Sequence, residues 1–223
     1  MIAHSATACT LLRSRKSGAA QASATLARMS QVFPPTPVRL WLLPHPRRAR
    51  GEPFVRPLLC QALGCSDAAL PLSRGSEGRP LLGPPYQDFD AGWSHSGDAL
   101  LLALGESVQL GVDIEQLRPR PRAHQLAQRF FHDDEVRWLA AQDDDVMEFS
   151  FVRLWCAKEA VLKAHGKGLS FGLEKLVFAE KDGVLGLVQC HAALGRQHEW
   201  SLREWTPLPG YHATLAWRPL IIL

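Results

Sequence analysis

The stretch that decides the fold of this 223-residue chain is Val108-Gln109-Leu110-Gly111-Val112-Asp113-Ile114-Glu115, in which apolar and polar residues alternate. Successive side chains of a β-strand point to opposite faces, so the pattern predicts a strand with one apolar face. Asp113 and Glu115 then leave the other face side by side. Two neighbouring carboxylates can chelate a hard cation. This stretch alone leaves open the alternative of two solvated acids on an exposed strand face.

A second stretch further along the chain is Trp155-Cys156-Ala157-Lys158-Glu159-Ala160-Val161-Leu162-Lys163. It belongs to residues 149–165, which we predict to be one helix ending at Gly166, because glycine suits a left-handed cap. Glu159 and Lys163 are four residues apart and therefore share a helix face. By themselves they indicate an ordinary surface ion pair, with a functional site as the alternative.

The rest of the sequence indicates a mixed α+β fold. Glycine and proline punctuate short periodic segments, and Asp182-Gly183 predicts a hairpin turn. Ser94-His95-Ser96-Gly97 is predicted to be a loop before a buried strand, where hydroxyls and an imidazole can meet a phosphate; a loop histidine with a structural role is the alternative. Further strands are predicted over residues 38–43, 99–104, 175–178, 184–190, 200–204 and 213–217, and further helices over 57–63, 123–131 and 133–141.

Composition and charge exclude several classes of protein. A formal net charge of +3 is too small for a protein that wraps nucleic acid. No apolar run approaches the roughly 20 residues that span a bilayer. We therefore expect neither nucleic acid nor membrane as a partner, and a cytoplasmic location. Residues 1–29 are predicted to be a disordered tail or to follow a start placed too early; an organelle transit peptide is the alternative.

In their order and spacing, the two stretches resemble the 4'-phosphopantetheinyl transferase superfamily. The family pattern joins G-[IV]-D-x-E to a later [FW]-[CST]-x-K-E-[AS]-x-x-K, and residues 111–115 and 155–163 match it at every fixed position. The similarity extends to Gly78-Arg79-Pro80, to Ser94-His95-Ser96 and to the segments 130–135 and 166–169. The sequence departs from the family at residues 89–93, because a polar residue commonly stands before the serine there and Trp93 occupies that place.

The chain has the length of the long branch of this family, in which two similar lobes lie in one chain. The resemblance implies an α+β fold with two lobes, each a small, mostly antiparallel sheet packed with helices, related by a pseudo-twofold axis. The N-terminal lobe is predicted over residues 30–107. The C-terminal lobe is predicted over 108–223 and carries the metal and catalytic motifs. A monomer with its cofactor in the cleft between the lobes is expected.

The resemblance also implies the residues of the site. Mg²⁺, with Mn²⁺ as the alternative, would be held by Asp113, Glu115 and Glu159. Glu159, Lys163 and Lys158 are assigned to catalysis: Glu159 as a ligand that could also accept a proton, Lys163 at the departing phosphate, and Lys158 bonded to Glu135 to fix the helix. The residues expected to bind coenzyme A phosphates are Arg79, Ser94, His95, Lys163, Arg47 and Arg48.

The activity that the resemblance implies is transfer of 4'-phosphopantetheine from the co-substrate coenzyme A to a serine of an apo acyl, peptidyl or polyketide carrier protein, with release of adenosine 3',5'-bisphosphate. Two alternatives from other classes remain at this point. One is a non-catalytic module that binds coenzyme A or a carrier protein. The other is a metal-dependent phosphohydrolase built on the two strand carboxylates.

Overall fold

A computed structural model of the chain describes residues 38–75 and 77–220. The predictions for residues 1–29, and for the start of the N-terminal lobe at 30–37, lie outside these ranges. Ten strands and four α-helices run through the described residues in the following order: β1 (Val38–Pro44), α1 (Glu52–Leu63), β2 (Leu72–Arg74), β3 (Pro80–Leu82), β4 (Phe89–Ser96), β5 (Ala99–Glu106), β6 (Val108–Gln116), α2 (Ala123–Phe130), α3 (Asp133–Ala140), α4 (Asp144–His165), β7 (Leu176–Lys181), β8 (Val184–Cys190), β9 (Ser201–Trp205) and β10 (Tyr211–Pro219).

Two three-stranded antiparallel sheets share one topology. Their strand orders are β1-β5-β4 and β6-β10-β9, so in each sheet the first strand pairs with the last and the last pairs with the one before it. Helix α1 packs on the first sheet through Val55 and Leu59, and α4 packs on the second through Ala160 and Ala164. The mixed α+β fold with two similar sheet-and-helix lobes is therefore confirmed.

Strand β6 has the two faces that its sequence predicts. Val108, Leu110, Val112 and Ile114 are buried in one core cluster with residues of β10. The second face is covered by α4 rather than by solvent. The helix lies so close to it that a Cβ atom on Gly111 would overlap backbone atoms of the helix. The alternative of two solvated acids on an open strand face is therefore wrong.

Two helices begin earlier than predicted. Helix α4 begins at Asp144, where Asp144 and Asp145 place negative charge in the first turn, and it ends at Gly166 with φ of 80° as expected. Helix α1 begins at Glu52 and contains Pro57 inside it. The sequence pattern did not reveal the extra turn in either case, since acidic and proline-rich segments are equally typical of loops.

The prediction of a loop at residues 94–97 is wrong. Ser94, His95 and Ser96 belong to β4 and pair with Leu101, Leu100 and Ala99 of β5 across a tight turn that contains Gly97 with φ of 61°. Polar residues occur in this strand because β4 is an edge strand whose side chains bond the other lobe. Their partners are far away in the sequence, which is why local pattern does not reveal the strand.

Candidate active site

The two lobes meet along β4 and β6, which are edge strands of their own sheets. Side chains of β4 bond backbone groups of β6: the Leu110 N–H donates to Asp90 Oδ2 at 2.7 Å, and the Gln116 N–H donates to Ser96 Oγ at 3.1 Å. These bonds satisfy amide groups that an edge strand leaves unpaired. The polar residues between them are held in fixed positions at the junction.

Asp113 is the centre of this junction. Its Oδ1 atom accepts hydrogen bonds from Lys163 Nζ at 2.6 Å and from Ser94 Oγ at 2.7 Å, and Lys163 Nζ also donates to Ser94 Oγ at 2.9 Å. The Asp113 side chain is only 4% exposed. Its other oxygen, Oδ2, is buried without a hydrogen-bond partner, which is costly for a carboxylate and leaves a ligand atom available.

Glu115 is bound by a residue that the sequence did not indicate. Arg120 Nη2 lies 2.6 Å from Glu115 Oε2, and Ser96 Oγ donates to the same oxygen at 3.1 Å. Arg120 belongs to the Arg118-Pro119-Arg120-Pro121 segment that ends β6. Its only signal in the sequence is its nearness to the acid pair.

Glu159 and Lys163 on α4 complete the charged group. Burial raises the pKa of Glu159 to about 7; Lys163 opposes the increase, and the negative charges of Asp113 and Glu115 add to it. Burial acts to lower the pKa of Lys163, but attraction to Asp113 and Glu159 outweighs it and the pKa is raised. Three acids and one lysine therefore influence one another at this site.

The donor atoms suit a hard divalent cation, because they are carboxylate oxygens, one of them buried and unpartnered. As the side chains stand, however, the described ranges contain no group of three or more His, Cys, Asp or Glu residues arranged to hold a metal ion. Asp113 is paired with Lys163 and Glu115 with Arg120. Asp113, Glu115 and Glu159 therefore suit the cation in the type of their donor atoms, while basic side chains occupy two of the three carboxylates.

Lys158 lies away from these carboxylates. It is fully buried, its Nζ atom is 2.6 Å from Glu135 Oε2, and it also donates to the Leu173 and Leu176 carbonyl oxygens. Glu135 in turn accepts from the Phe178 N–H at 2.9 Å. The expected contact between Lys158 and Glu135 is present. The enclosed Lys158 side chain is not exposed at the surface, and its contacts tie α4 to Glu135 of α3 and to Leu176 of β7.

A cleft of about 200 Å³ at the junction of the lobes is lined in part by Lys163, which pairs with Asp113. Arg79 lies in it, held by Asp90 and by a hydrogen bond from Nε to the Lys163 carbonyl oxygen at 3.2 Å. Its other lining residues include Gly92, Trp93, Gly111, Val112, Lys163 and Gly166. The junction therefore brings together three of the residues expected at the cofactor, namely Arg79, Ser94 and Lys163.

The other three expected cofactor residues do not line the cleft. His95 is exposed and stacks on His45, with ring centroids 4.5 Å apart. Arg47 and Arg48 are exposed in the turn after β1, where Arg48 has φ of 66°. They form a basic surface beside the histidine pair, separate from the cleft lining.

Comparison with known proteins assigns the family. The model of the 4'-phosphopantetheinyl transferase superfamily matches residues 109–216, which include Asp113, Glu115, Glu159 and Lys163. The 4'-phosphopantetheinyl transferase HetI of Nostoc sp. is 31% identical over 81% of this chain and 77% of HetI. The chain belongs to the 4'-phosphopantetheinyl transferase superfamily.

Other relatives in this superfamily match over a smaller part of their length. The Bacillus subtilis transferase Sfp is 31% identical over 63% of this chain and 62% of Sfp, and psf-1 of Bacillus pumilus is 32% identical over 60% of this chain and 55% of psf-1. The holo-[acyl-carrier-protein] synthase of Thermotoga maritima aligns at 20% identity with a TM-score of 0.42, covering 50% of this chain and 62% of that one. Among the helices of the described ranges, none has the length and apolarity needed to cross a bilayer.

Proposed function

We propose that the chain transfers the 4'-phosphopantetheine group of coenzyme A to a serine of an apo acyl, peptidyl or polyketide carrier protein. The observation that carries the proposal is the meeting of Asp113, Ser94 and Lys163 beside Glu115 and Glu159 at the junction of two lobes, in a member of this superfamily. In the proposal the enzyme acts as a cytoplasmic monomer, and its free cysteines suit a reducing compartment.

In the proposed site, Asp113, Glu115 and Glu159 would hold Mg²⁺, or Mn²⁺ in its place. Bound there, the cation would neutralise negative charge on the diphosphate oxygens of coenzyme A. Asp113 supports this assignment because its Oδ2 is buried without a partner. Glu159 supports it because its pKa is raised: burial is the main cause, and the negative charges of Asp113 and Glu115 contribute as well.

The reaction forms a bond between the serine oxygen and the pantetheine-side phosphorus and breaks the bond from that phosphorus to adenosine 3',5'-bisphosphate. In the proposal Glu159 takes the serine proton, because it is the carboxylate of the site that lies on the same helix as Lys163. Lys163 remains positively charged beside Asp113 and neutralises the departing phosphate. Arg79, in the cleft, binds the bisphosphate, with His95, Arg47 and Arg48 as an outer basic surface.

The test incubates the full chain with coenzyme A, Mg²⁺ and a panel of apo carrier proteins, and weighs the carriers by mass spectrometry. We expect addition of one phosphopantetheine group to at least one carrier and none to a variant whose acceptor serine is alanine. Asp113→Ala should abolish the gain. Undiminished transfer by that variant would contradict the role of Asp113.

The same experiment separates the two alternatives. Release of adenosine 3',5'-bisphosphate without any carrier would identify a phosphohydrolase. Binding of coenzyme A without modification of any carrier would identify a non-catalytic module.

A further inference from the structure

Arg120 is fixed by its backbone within reach of Glu115. Its N–H donates to Glu148 Oε2 of α4 at 3.1 Å, and its carbonyl oxygen accepts from the Ala123 N–H at 2.8 Å, at the start of α2. Its side chain is only 19% exposed, and its Nη2 atom lies 2.6 Å from Glu115 Oε2. The loop therefore places a permanent positive charge on one of the three acids of the site.

The guanidinium is not fully satisfied in this position. The Arg120 Nε atom is buried and has no hydrogen-bond partner, and a buried N–H without an acceptor is unfavourable. The contact with Glu115 is the ion pair that holds the side chain there. Because its Nε–H has no acceptor in this position, the Arg120 side chain can move away if another cation binds Glu115.

The same contact sets the position of the Glu115 carboxylate. The Oε2 atom of Glu115 accepts hydrogen bonds from both Arg120 and Ser96. The carboxylate oxygen without a partner is Oδ2 of Asp113, the other acid of the strand. The positive charge of Arg120 also offsets the repulsion between Glu115 and its neighbours Asp113 and Glu159. Arg120 and a divalent cation would therefore compete for one carboxylate.

We propose that Arg120 is the resident counter-ion of Glu115 and has to leave this carboxylate before a divalent cation can bind Asp113, Glu115 and Glu159. The inference rests on the proposed function, because it assumes the metal site named there. Arg120 is a positioning residue. It acts through Glu115. Because the guanidinium and the cation compete for the Glu115 carboxylate, removing the guanidinium should strengthen metal binding.

The test measures Mn²⁺ binding to the purified full chain without coenzyme A, from the electron paramagnetic resonance signal of free Mn²⁺. Arg120→Gln should lower the apparent Kd by about fivefold or more, the usual size of such coupling. Arg118→Gln is the matched control, because Arg118 is an exposed arginine of the same loop and its loss changes the net charge equally. We expect its Kd to stay close to that of the unmodified chain.

Arg120→Lys provides a second variant that keeps the charge. Its Kd should lie closer to that of the unmodified chain than the Kd of Arg120→Gln. If Arg120→Gln does not fold, Arg120→Met removes the charge in its place and should lower the Kd in the same way. Unchanged or weaker Mn²⁺ binding by Arg120→Gln would overturn the proposal, because a purely structural role for the loop predicts weaker binding. Equal tightening by Arg118→Gln would overturn it as well, since net charge alone would then explain the effect.

Failure of this inference is distinguishable from failure of the proposed function. If the unmodified chain modifies a carrier protein but Arg120→Gln leaves the Kd unchanged, the function stands and the counter-ion role falls. If no carrier is modified but Arg120→Gln tightens Mn²⁺ binding, the counter-ion role stands and the transferase proposal falls.

Discussion

At the scale of single residues, the three carboxylates of the site have different surroundings. Asp113 and Glu115 each contact a basic side chain at 2.6 Å. Glu159 is partly buried, and burial together with the charges of the other two acids raises its pKa to about 7. The proposed base therefore lies where burial and neighbouring acids make its negative charge unfavourable.

Glu159→Gln is expected to stabilise the metal-free protein at alkaline pH. The pKa of Glu159 is about 7 in the folded state against an ordinary value of 4.5, so the folded state binds this proton more tightly. The contribution of Glu159 to stability is then greatest below pH 4.5 and falls as the pH rises to 7. We expect a gain of about 1–3 kcal/mol in the free energy of unfolding at pH 8, and a smaller gain at pH 5.

Urea denaturation in the presence of EDTA measures this difference at the two pH values. Glu106→Gln, at an exposed glutamate, is the control and should change stability little at either pH. An equal gain at pH 5 and pH 8 would show that the effect does not come from ionisation of Glu159.

Lys163→Ala is expected to slow the transfer step far more than it weakens coenzyme A binding. The ammonium group acts on charge that develops on the departing phosphate, and loss of one such group costs roughly a hundredfold in kcat. Steady-state kinetics with a carrier protein give kcat and KM separately. Lys167→Ala, at an exposed lysine just after the helix, is the control. A change in KM alone would contradict the role of Lys163 in the transition state.

The sequence predicted part of this site and not the rest, for a physical reason. Asp113 and Glu115 are neighbours on one strand, and Glu159 and Lys163 share a helix face, so periodicity places each pair. Arg120, by contrast, reaches Glu115 from an irregular segment whose side-chain direction no periodicity fixes. The family motif brought the two pairs together, but it did not indicate the arginine.

At the scale of elements, the site depends on how closely α4 approaches β6. Gly111 permits this approach, since any side chain there would meet the helix backbone at Ala160 and Ala164. The Gln109 side chain holds the same helix by donating to the Ala164 carbonyl oxygen at 2.9 Å. Helix α4 carries Glu159 and Lys163, so the strand-to-helix distance sets the distance between the acids.

Gly111→Ala is therefore expected to destabilise the protein by about 3 kcal/mol or to prevent folding, because the clash involves backbone atoms that cannot rotate away. Gly186→Ala is the matched control: Gly186 also lies in a strand, and a Cβ atom there meets nothing within 4 Å. Thermal denaturation of both variants measures the effect. Equal melting temperatures would show that α4 can move away from β6 without cost.

Prediction from sequence was also uneven at this scale. Strands β6 and β8 and helices α2 and α3 agree with the predicted spans to within one residue, because each has a clear period and clear boundaries. Strand β4 was missed because its side chains bond the other lobe, so its polarity reflects a tertiary contact. The short strands β2 and β3 were missed for lack of any local signal.

At the scale of the whole molecule, two halves with the same strand order meet through unlike edge strands. The first sheet contributes its edge strand β4, and the second sheet contributes its edge strand β6. The cleft opens between these two strands. No repeat is visible in the sequence, because the shared topology requires only similar hydrophobic patterns. The halves also share one apolar core, in which Leu42 and Leu101 of the first half lie in the same cluster as Leu110 and Ile114 of the second, and the polar bonds between β4 and β6 add to it.

Asp90 is one of the buried polar residues that join the two halves across β4 and β6. It accepts from the Leu110 N–H at 2.7 Å and pairs with Arg79, which itself reaches the Lys163 carbonyl oxygen. Burial raises the pKa of Asp90 to about 6, an increase that Arg79 opposes. Loss of its charge would loosen Arg79 and the edge of β6 together.

Asp90→Asn should therefore raise the KM for coenzyme A by about tenfold, because charged hydrogen bonds that position Arg79 are worth roughly 1.5–3 kcal/mol. The effect on kcat should be smaller, since Asp113, Glu159 and Lys163 are retained. Asp88→Asn, at an exposed aspartate two residues earlier, should leave both constants unchanged. An equal fall in kcat with no change in KM would mean that Asp90 acts on the reacting groups, and that the junction positions the acids of the C-terminal lobe rather than the cofactor cleft.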